Sequence, residues 1–257
     1  MTAAAPAAAA PGILAVRGLV KTYAGSTVPA VNGLDFSVQA GEIFGLLGPN
    51  GAGKTTAISV CCTLLRPTAG TAVLCGIDTA RRPAEARRQF GLAPQDVALY
   101  PTLTALENLR YFGRLYGLAG PRLEQRIGEC LAEVGLADSG DKRVAAFSGG
   151  MKRRANLAAA ILHAPRVLFL DEPTAGVDAQ SRNVIFGHLE ALRRGGTTIV
   201  YTTHYMEEAE QLCDRVAIMD HGVVVADGPP RELIARFDGC ASLEEAFLRL
   251  TGTHLRD

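Results

Sequence analysis

From residue 48 to residue 56 the chain reads Gly48-Pro49-Asn50-Gly51-Ala52-Gly53-Lys54-Thr55-Thr56, a spacing suited to phosphate chemistry. Glycines let successive backbone N–H groups converge on phosphate oxygens, and a helix that starts there adds the positive end of its dipole. Lys54 then reaches the outer phosphates of a nucleoside triphosphate, and Thr55 offers a hydroxyl to a magnesium ion. Asp171-Glu172 follows the apolar run Val167-Leu168-Phe169-Leu170 and belongs to the same chemistry. A carboxylate at the end of a buried strand beside a phosphate loop is placed to hold magnesium, directly or through water, which is the role of Asp171. Glu172, next along the chain, is placed to accept a proton from an attacking water as general base, the alternative being that either acid caps the next turn. A third stretch, Phe147-Ser148-Gly149-Gly150-Met151-Lys152, precedes a helix rich in Lys152, Arg153, Ala155, Leu157, Ala158 and Ile161, where exposed N–H groups favour an anion. Taken alone, Ser148, Gly149 and Gly150 read better as a turn.

These residues need a scaffold, and the apolar patterning supplies one. Glu42-Ile43-Phe44-Gly45-Leu46-Leu47 predicts a buried strand running into the glycine loop, with helical recurrence after it through Leu65. Upstream, the alternation from Ile13 to Lys21 predicts an edge strand ending at Thr22-Tyr23, and Val31 to Val38 predicts another strand. Thr71 to Cys75 predicts a short strand, and Arg81 to Arg88 a charged helix with a solvated basic face. Thr104-Ala105-Leu106-Glu107 has the capping-box pattern, with Leu106, Leu109 and Tyr116 on one side of the helix it starts. Pro121 opens the next, where Leu123, Ile127, Leu131 and Val134 recur at helical spacing.

From Arg166 strands and helices alternate again. The strand to Leu170 precedes a helix carrying Val184, Ile185, Leu189 and Leu192, then the strand Thr198 to Tyr201 and a helix from about Met206 to Cys213. Val216 to Met219 and Val223 to Val225 flank Asp220-His221-Gly222 as a hairpin, and a helical tail carries Leu243, Phe247 and Leu250. The pattern predicts an α/β core with a mainly parallel sheet, interrupted by a helical insertion between about Asp96 and Pro165.

Composition limits the partners. Lys plus Arg equals Asp plus Glu at 26 each, so no overall basic field holds nucleic acid or an anionic membrane at long range. The six cysteines form no C-x-x-C pair and read as reduced, mostly buried residues of a cytosolic protein. No apolar stretch approaches the ~20 residues that span a bilayer. A membrane role therefore needs a second chain. Residues 1–12 are alanine and proline without a basic n-region and read as a disordered leader.

Taken in order, the motifs resemble those of the nucleotide-binding subunit of an ABC transporter, from Ile13 to about Gly252. Tyr23 matches the aromatic that stacks on adenine, Gly48 to Thr55 (with Thr56 after it) the Walker A loop, and Gln95 the Q-loop. Ser148-Gly149-Gly150 matches the signature, Val167 to Glu172 the Walker B strand and base, Ala175-Gly176-Val177-Asp178 the D-loop, and His204 the switch histidine. The resemblance implies a P-loop NTPase (RecA-like) core with an antiparallel β subdomain and an inserted α-helical subdomain at about 96–165. The ATP-binding domain would span 13–228 and a helical tail 229–257.

It further implies that two such domains face each other head to tail, with each ATP between one Walker A loop and the other signature. Lys54 would neutralise β- and γ-phosphate charge, while Thr55, Gln95 and Asp171 organise Mg2+. Glu172 would activate water, His204 would contact the γ-phosphate, and Ser148 with Gly149 would close the site from the second subunit. The implied activity is ATP hydrolysis that drives a separate integral-membrane permease from the cytoplasmic face of the cell membrane. Met151 stands where glutamine is commoner and Phe147 where leucine is usual. Both departures, with Tyr201 to Ala209 and Ser242 to Phe247, are similar to the branch serving ABC-2-type exporters, which includes drug-resistance systems.

Leu99 to Leu106 is expected to line the groove for the permease's cytoplasmic helix, against ordinary packing of the insertion. Two other functions compete. A soluble ABC ATPase acting on nucleic acid or ribosomes usually carries two cassettes, a long coiled coil or zinc-binding cysteines, and this sequence has none of them. A catalytically silent nucleotide sensor has no support from a chain that keeps Lys54, Asp171, Glu172 and His204.

Overall fold

Apolar runs without alternation fold as strands covered on both faces, and alternating runs as strands with one face in a core. In this computed structural model, which describes residues 12–252, both kinds occur, in separate sheets. The expected leader falls outside the described residues up to residue 11, as do the last residues of the tail, 253–257.

In chain order, β1 (Leu14–Lys21), β2 (Val31–Val38) and β3 (Ile43–Leu47) precede α1 (Lys54–Cys61). β4 (Ala69–Leu74), β5 (Ile77–Asp78), α2 (Pro83–Ala86) and β6 (Phe90–Ala93) follow. The helices α3 (Ala105–Leu115), α4 (Gly120–Glu133) and α5 (Gly149–Ile161) come next, before β7 (Val167–Asp171), α6 (Ala179–Arg194) and β8 (Thr198–Thr203). The chain continues through α7 (Met206–Leu212), β9 (Arg215–Asp220), β10 (Val223–Gly228), α8 (Pro230–Ala235) and α9 (Leu243–Thr251).

The larger sheet has the order β10-β9-β3-β8-β7-β6, and all its pairings are parallel except that of β9 with β10. Along β3, β7, β8 and β9 its side chains divide by parity, whereas the bulge in β10 puts Val224 and Ala226 in different cores. Ile43, Leu47, Leu168, Leu170, Ile199 and Tyr201 face the core formed with the helices α3 to α7 and α9. Phe44, Leu46, Val167, Phe169 and Val200 face the core shared with α1 and the smaller sheet. That smaller sheet, β2-β1-β4-β5, is antiparallel, and Phe36 of β2 stacks on Phe44 of β3 at 5.5 Å to join the layers.

The capping box forms as its sequence requires: Thr104 Oγ1 accepts from Glu107 N at 3.1 Å, and Glu107 Oε2 accepts from Thr104 N at 2.8 Å. The hairpin also forms, and His221 (φ 46°) and Gly222 (φ 80°) give the two positive φ values of a type I′ turn. Several local expectations differ. β1 is not an edge strand but pairs with β2 on one side and β4 on the other, because the partner that covers it comes from beyond the glycine loop. The charged helix expected over Arg81 to Arg88 shrinks to the single turn of α2, and the helix after the glycine loop ends at Cys61 rather than Leu65. The short strands β5 and β6 had no sequence signal strong enough to place them. Leu99 and Leu106 pack partly buried against the core, with Leu106 against Gly140, while Tyr100 between them is exposed.

The tail is integral to the core. Leu243 and Phe247 of α9 are fully buried among residues that include Met206, Leu212 and Leu233. Phe247→Ala is expected to lower the unfolding free energy by about 3–5 kcal/mol in urea titration, the range for truncating a buried aromatic. A loss under about 1 kcal/mol would show that α9 only rests on the surface.

Candidate functional site

In a parallel sheet every strand ends at the same edge, and ligands bind where those carboxyl ends open into a crevice. The chain leaves β3 at Leu47 into the glycine loop, β6 at Ala93 toward Gln95, β7 at Asp171 into Glu172, and β8 at Thr203 into His204. The register aligns them, with Leu47 opposite Thr203, Asp171 opposite Thr202 and Ala93 opposite Leu170.

The glycine loop wraps the start of α1 closely. A Cβ at Gly53 (φ 102°) would lie 2.4 Å from Ala30 O, and one at Gly48 would lie 2.2 Å from Met219 O, so no other residue fits either place. Lys54 is buried and donates to Gly48 O at 2.8 Å and Pro49 O at 3.1 Å, which ties the loop to its own helix. Its third donor direction faces Glu172 Oε1 at 3.5 Å. Burial holds the ammonium below the usual lysine range, and the carboxylates of Glu172 and Asp171 oppose that shift. An open cleft of about 380 Å³ runs past Asn50, Gly51, Gly53, Lys54, Thr55, Thr56, Gln95 and Glu172.

Glu172 is the point where these elements meet. Gln95 Nε2 donates to its Oε2 at 3.4 Å, and His204 Nδ1 lies 3.2 Å from its Oε1 without the alignment of a hydrogen bond. Its backbone is in the left-handed region at φ 46°, a conformation that costs an L-residue about 1–2 kcal/mol, and Thr202 holds it there. The Glu172 N–H donates to Thr202 Oγ1 at 3.0 Å and Thr202 O at 3.2 Å. The Thr202 hydroxyl in turn donates to Asp171 Oδ1 at 2.6 Å. Thr55 Oγ1 reaches the same Asp171 oxygen at 3.3 Å, so a hydroxyl and a carboxylate converge at the strand end.

That donor set is all oxygen and suits a hard cation such as Mg2+, which takes one or two carboxylates with nucleotide phosphates and water rather than an all-protein cage. Among the described residues no group of three or more His, Cys, Asp or Glu is placed to hold a metal alone.

Tyr23 stands beside the loop, with its hydroxyl 3.0 Å from Thr56 Oγ1 and its ring exposed. Ser148, Gly149, Gly150 and Asp178 do not line the cleft. Ser148 caps α5 by accepting from Met151 N at 3.2 Å, Gly149 faces open space, and Gly150 packs on Ser181 of α6. Asp178 caps α6, accepting from Ser181 N at 2.9 Å and Ser181 Oγ at 2.8 Å, and those bonds hold its carboxyl below the usual range.

Sequence reading passed over two residues that organise this edge. Thr202 lies one residue beyond the strand expected to end at Tyr201, whereas β8 continues through Thr203. Arg153, on α5, donates to the backbone carbonyl of Gln95 and, at 3.2 Å, to that of Ala175. It thereby ties the segment after β6 to the segment after β7.

Comparison with known proteins agrees with this architecture. The family model described as ABC transporter matches residues 31–175. The linearmycin resistance ATP-binding protein LnrL of Bacillus subtilis is 43% identical over 243 residues, which cover 92% of this chain and 78% of that protein. The daunorubicin/doxorubicin resistance ATP-binding protein DrrA of Streptomyces peucetius is 46% identical over 84% of this chain, which spans only 65% of that longer protein. The Nod factor export ATP-binding protein I of Ralstonia nicotianae is 45% identical over 90% of this chain and 72% of its own length.

Among solved structures, an ATP binding subunit of an ABC transporter superposes with a TM-score of 0.82 at 32% identity, over 93% of this chain and 99% of that one. The ATP-binding cassette MJ0796, as a dimer in a post-hydrolysis state bound to ADP and Pi, superposes with a TM-score of 0.77 at 26% identity, over 84% and 98%. With its glycine loop, its aligned strand ends and these relatives, the chain belongs to the ABC transporter family and is one of its ATP-binding, ATP-hydrolysing cassettes.

Proposed function

We propose that two copies of this chain cleave ATP between them, each lending the other its Ser148 helix end, and that their closure drives a separate membrane permease in the export direction. The observation that carries the reading is Glu172, set within 3.5 Å of Lys54, Gln95 and His204 at the mouth of the glycine loop. A general base must sit within reach of the water it activates, and this carboxylate faces the cleft where the γ-phosphate would lie. Lys54 and the loop N–H groups neutralise phosphate charge, Thr55, Asp171 and Gln95 hold Mg2+, and Tyr23 stacks on the base. When bound, the metal offsets the charge that develops on the transferring phosphoryl group. His204 steadies Glu172 and contacts the γ-phosphate.

The exposed start of α5 supports the second half of the scheme. Ser148 and Gly149 are exposed at the start of α5 and do not line the cleft of their own chain, as a phosphate site meant for a partner's nucleotide would be. Asp178 lies on the same exposed side, because Gly150 packs against Ser181, which Asp178 caps. A nucleotide that takes such a pair from mostly open to mostly closed must favour the closed form by about 5.5 kcal/mol, and two γ-phosphates bridged in this way share that demand.

No helix of the described residues is long and apolar enough to cross a membrane; in this reading the permease is a second chain, met at the cytoplasmic face. Its docking place is a groove of about 960 Å³ lined by Leu64, Arg87, Phe112, Leu115, Tyr116 and His163, among others. Leu64 and Leu115 are 63% and 66% exposed, which is unusual for leucines gathered around one groove. The export direction follows the relatives, which are named for drug resistance and Nod factor export.

Glu172→Gln is expected to lower ATP turnover by at least about 100-fold while leaving ATP binding intact, and to accumulate an ATP-bound dimer by size-exclusion chromatography with light scattering. Turnover at the wild-type rate would remove Glu172 from the base role. Lys54→Ala and Ser148→Arg should each be inactive alone, whereas a mixture of the two should regain activity, because one site of the mixed pair has both halves intact. Absence of recovery would place all the machinery in a single copy. Leu115→Arg should abolish co-purification with the permease at unchanged basal turnover; undiminished capture would put the docking surface elsewhere.

A further inference from the structure

Behind the Glu172–His204 pair lies a buried carboxylate to which the reading above assigns nothing. Glu208, in the first turn of α7, is 2% exposed. Thr174 Oγ1 lies 2.9 Å from both of its oxygens, and its Oε2 accepts from Tyr201 OH at 2.8 Å and Thr203 Oγ1 at 2.9 Å. Arg182 Nη1, on α6, stands 3.6 Å from its Oε1. A carboxylate offers about four acceptor positions and no proton, so three hydroxyls and a guanidinium saturate it. Burial, with the Glu208 carboxylate behind it, pushes the Tyr201 phenol well above its ordinary range and keeps it a donor.

The donors mark what the carboxylate controls. Thr174 is two residues beyond Glu172, on the turn after β7, and Thr203 immediately precedes His204 at the end of β8. One side chain on α7 therefore fastens the two segments whose tips bring Glu172 Oε1 and His204 Nδ1 to 3.2 Å. The turn after β7 is also held from its other side, where Arg153 donates to Ala175 O. Packing alone does not require such a device, since an apolar plug of the same volume in place of a buried ionic network is often as stable or more so. What a saturated carboxylate adds is direction, because each hydroxyl must point at it.

We propose that Glu208 is a positioning residue that sets the spacing and orientation of Glu172 and His204 by anchoring Thr174 and Thr203 to one buried carboxylate. The inference rests on the hydrolytic roles given to Glu172 and His204 above. Glu208→Gln keeps the volume but turns an acceptor into a donor, which leaves one hydroxyl facing an N–H. In the full-length chain with MgATP, kcat is expected to fall by about 10–100-fold, the cost of misplacing catalytic groups by a fraction of an ångström to 1 Å, with KM and nucleotide affinity unchanged within about threefold.

Thr203→Val should repeat that kcat loss, and Thr203→Ser, which restores the hydroxyl, should recover turnover to within about threefold of wild type. Thr203 Oγ1 also accepts from Tyr205 N at 3.0 Å, so a loss in Thr203→Val supports the proposal only where Thr174→Val, which removes a donor to Glu208 and leaves that bond alone, repeats it. Wild-type kcat in Glu208→Gln, or in Thr203→Val, overturns the proposal, as does a Thr203→Ser variant no more active than Thr203→Val. Glu172→Gln assayed alongside separates the two levels. If it abolishes turnover while Glu208→Gln runs at full speed, only the positioning role falls; if it leaves turnover intact, the base role of Glu172 falls first and takes this inference with it.

Discussion

The parallel register of β3, β8 and β7 is the constraint on which the site depends. It sets Leu47 against Thr203 and Asp171 against Thr202, so the glycine loop, the acidic pair and the histidine leave the sheet at one edge. Side chains alternate faces along a strand, and a slip of one residue would send every inward apolar group of β7 to the opposite core. The parity of the two hydrophobic clusters forbids that slip. Phe169 and Leu170 belong to different cores, and exchanging them would misfit both. Chemistry at the edge thus inherits its geometry from packing well beneath it.

At that edge, charge burial and strain compensate each other. Lys54 is desolvated, which disfavours its charge, but Glu172 and Asp171 stand close enough to oppose the penalty. Glu172 occupies an unfavourable backbone conformation that two hydrogen bonds from its N–H to Thr202 maintain. Removing either member of the buried Lys54–Glu172 pair leaves the other's charge buried with less to offset it. In the proposed reading, the phosphates of ATP enter this balance as further acceptors for Lys54, which now donates to Gly48 O and Pro49 O.

The helices between β6 and β7 pack into that core and are also held by directional ties, to the strand ends and to each other. Arg153 links α5 to the backbone after β6 and after β7, and Arg126 of α4 donates to Ile161 O and Leu162 O at the end of α5. Under the proposed pairing, a second copy's nucleotide pulls on the N-terminus of α5. Arg153 then offers a direct mechanical path from that helix to Gln95 and to the turn that carries Glu172.

Local patterns were enough for the glycine loop, the buried runs of β3 and β7, the capping box at Thr104 and the His221-Gly222 hairpin. Each is fixed by the conformational freedom or periodicity of adjacent residues, which the sequence states directly. The neighbours of β1, the four-residue strand β6 and the single-turn extent of α2 were not legible, because strand pairing and helix survival there depend on residues far along the chain.

The roles of Thr202, Arg153 and Glu208 were hidden for the same reason. Glu207-Glu208 reads as a solvated acidic helix start, and only the approach of Thr174, Tyr201, Thr203 and Arg182 makes the second of them a buried acceptor. The sequence by itself determined which groups are available for phosphate chemistry and the family they belong to. The tertiary structure decided which groups meet, since a hydrogen bond between residues 30 or 100 positions apart is a property of register and packing, not of local pattern.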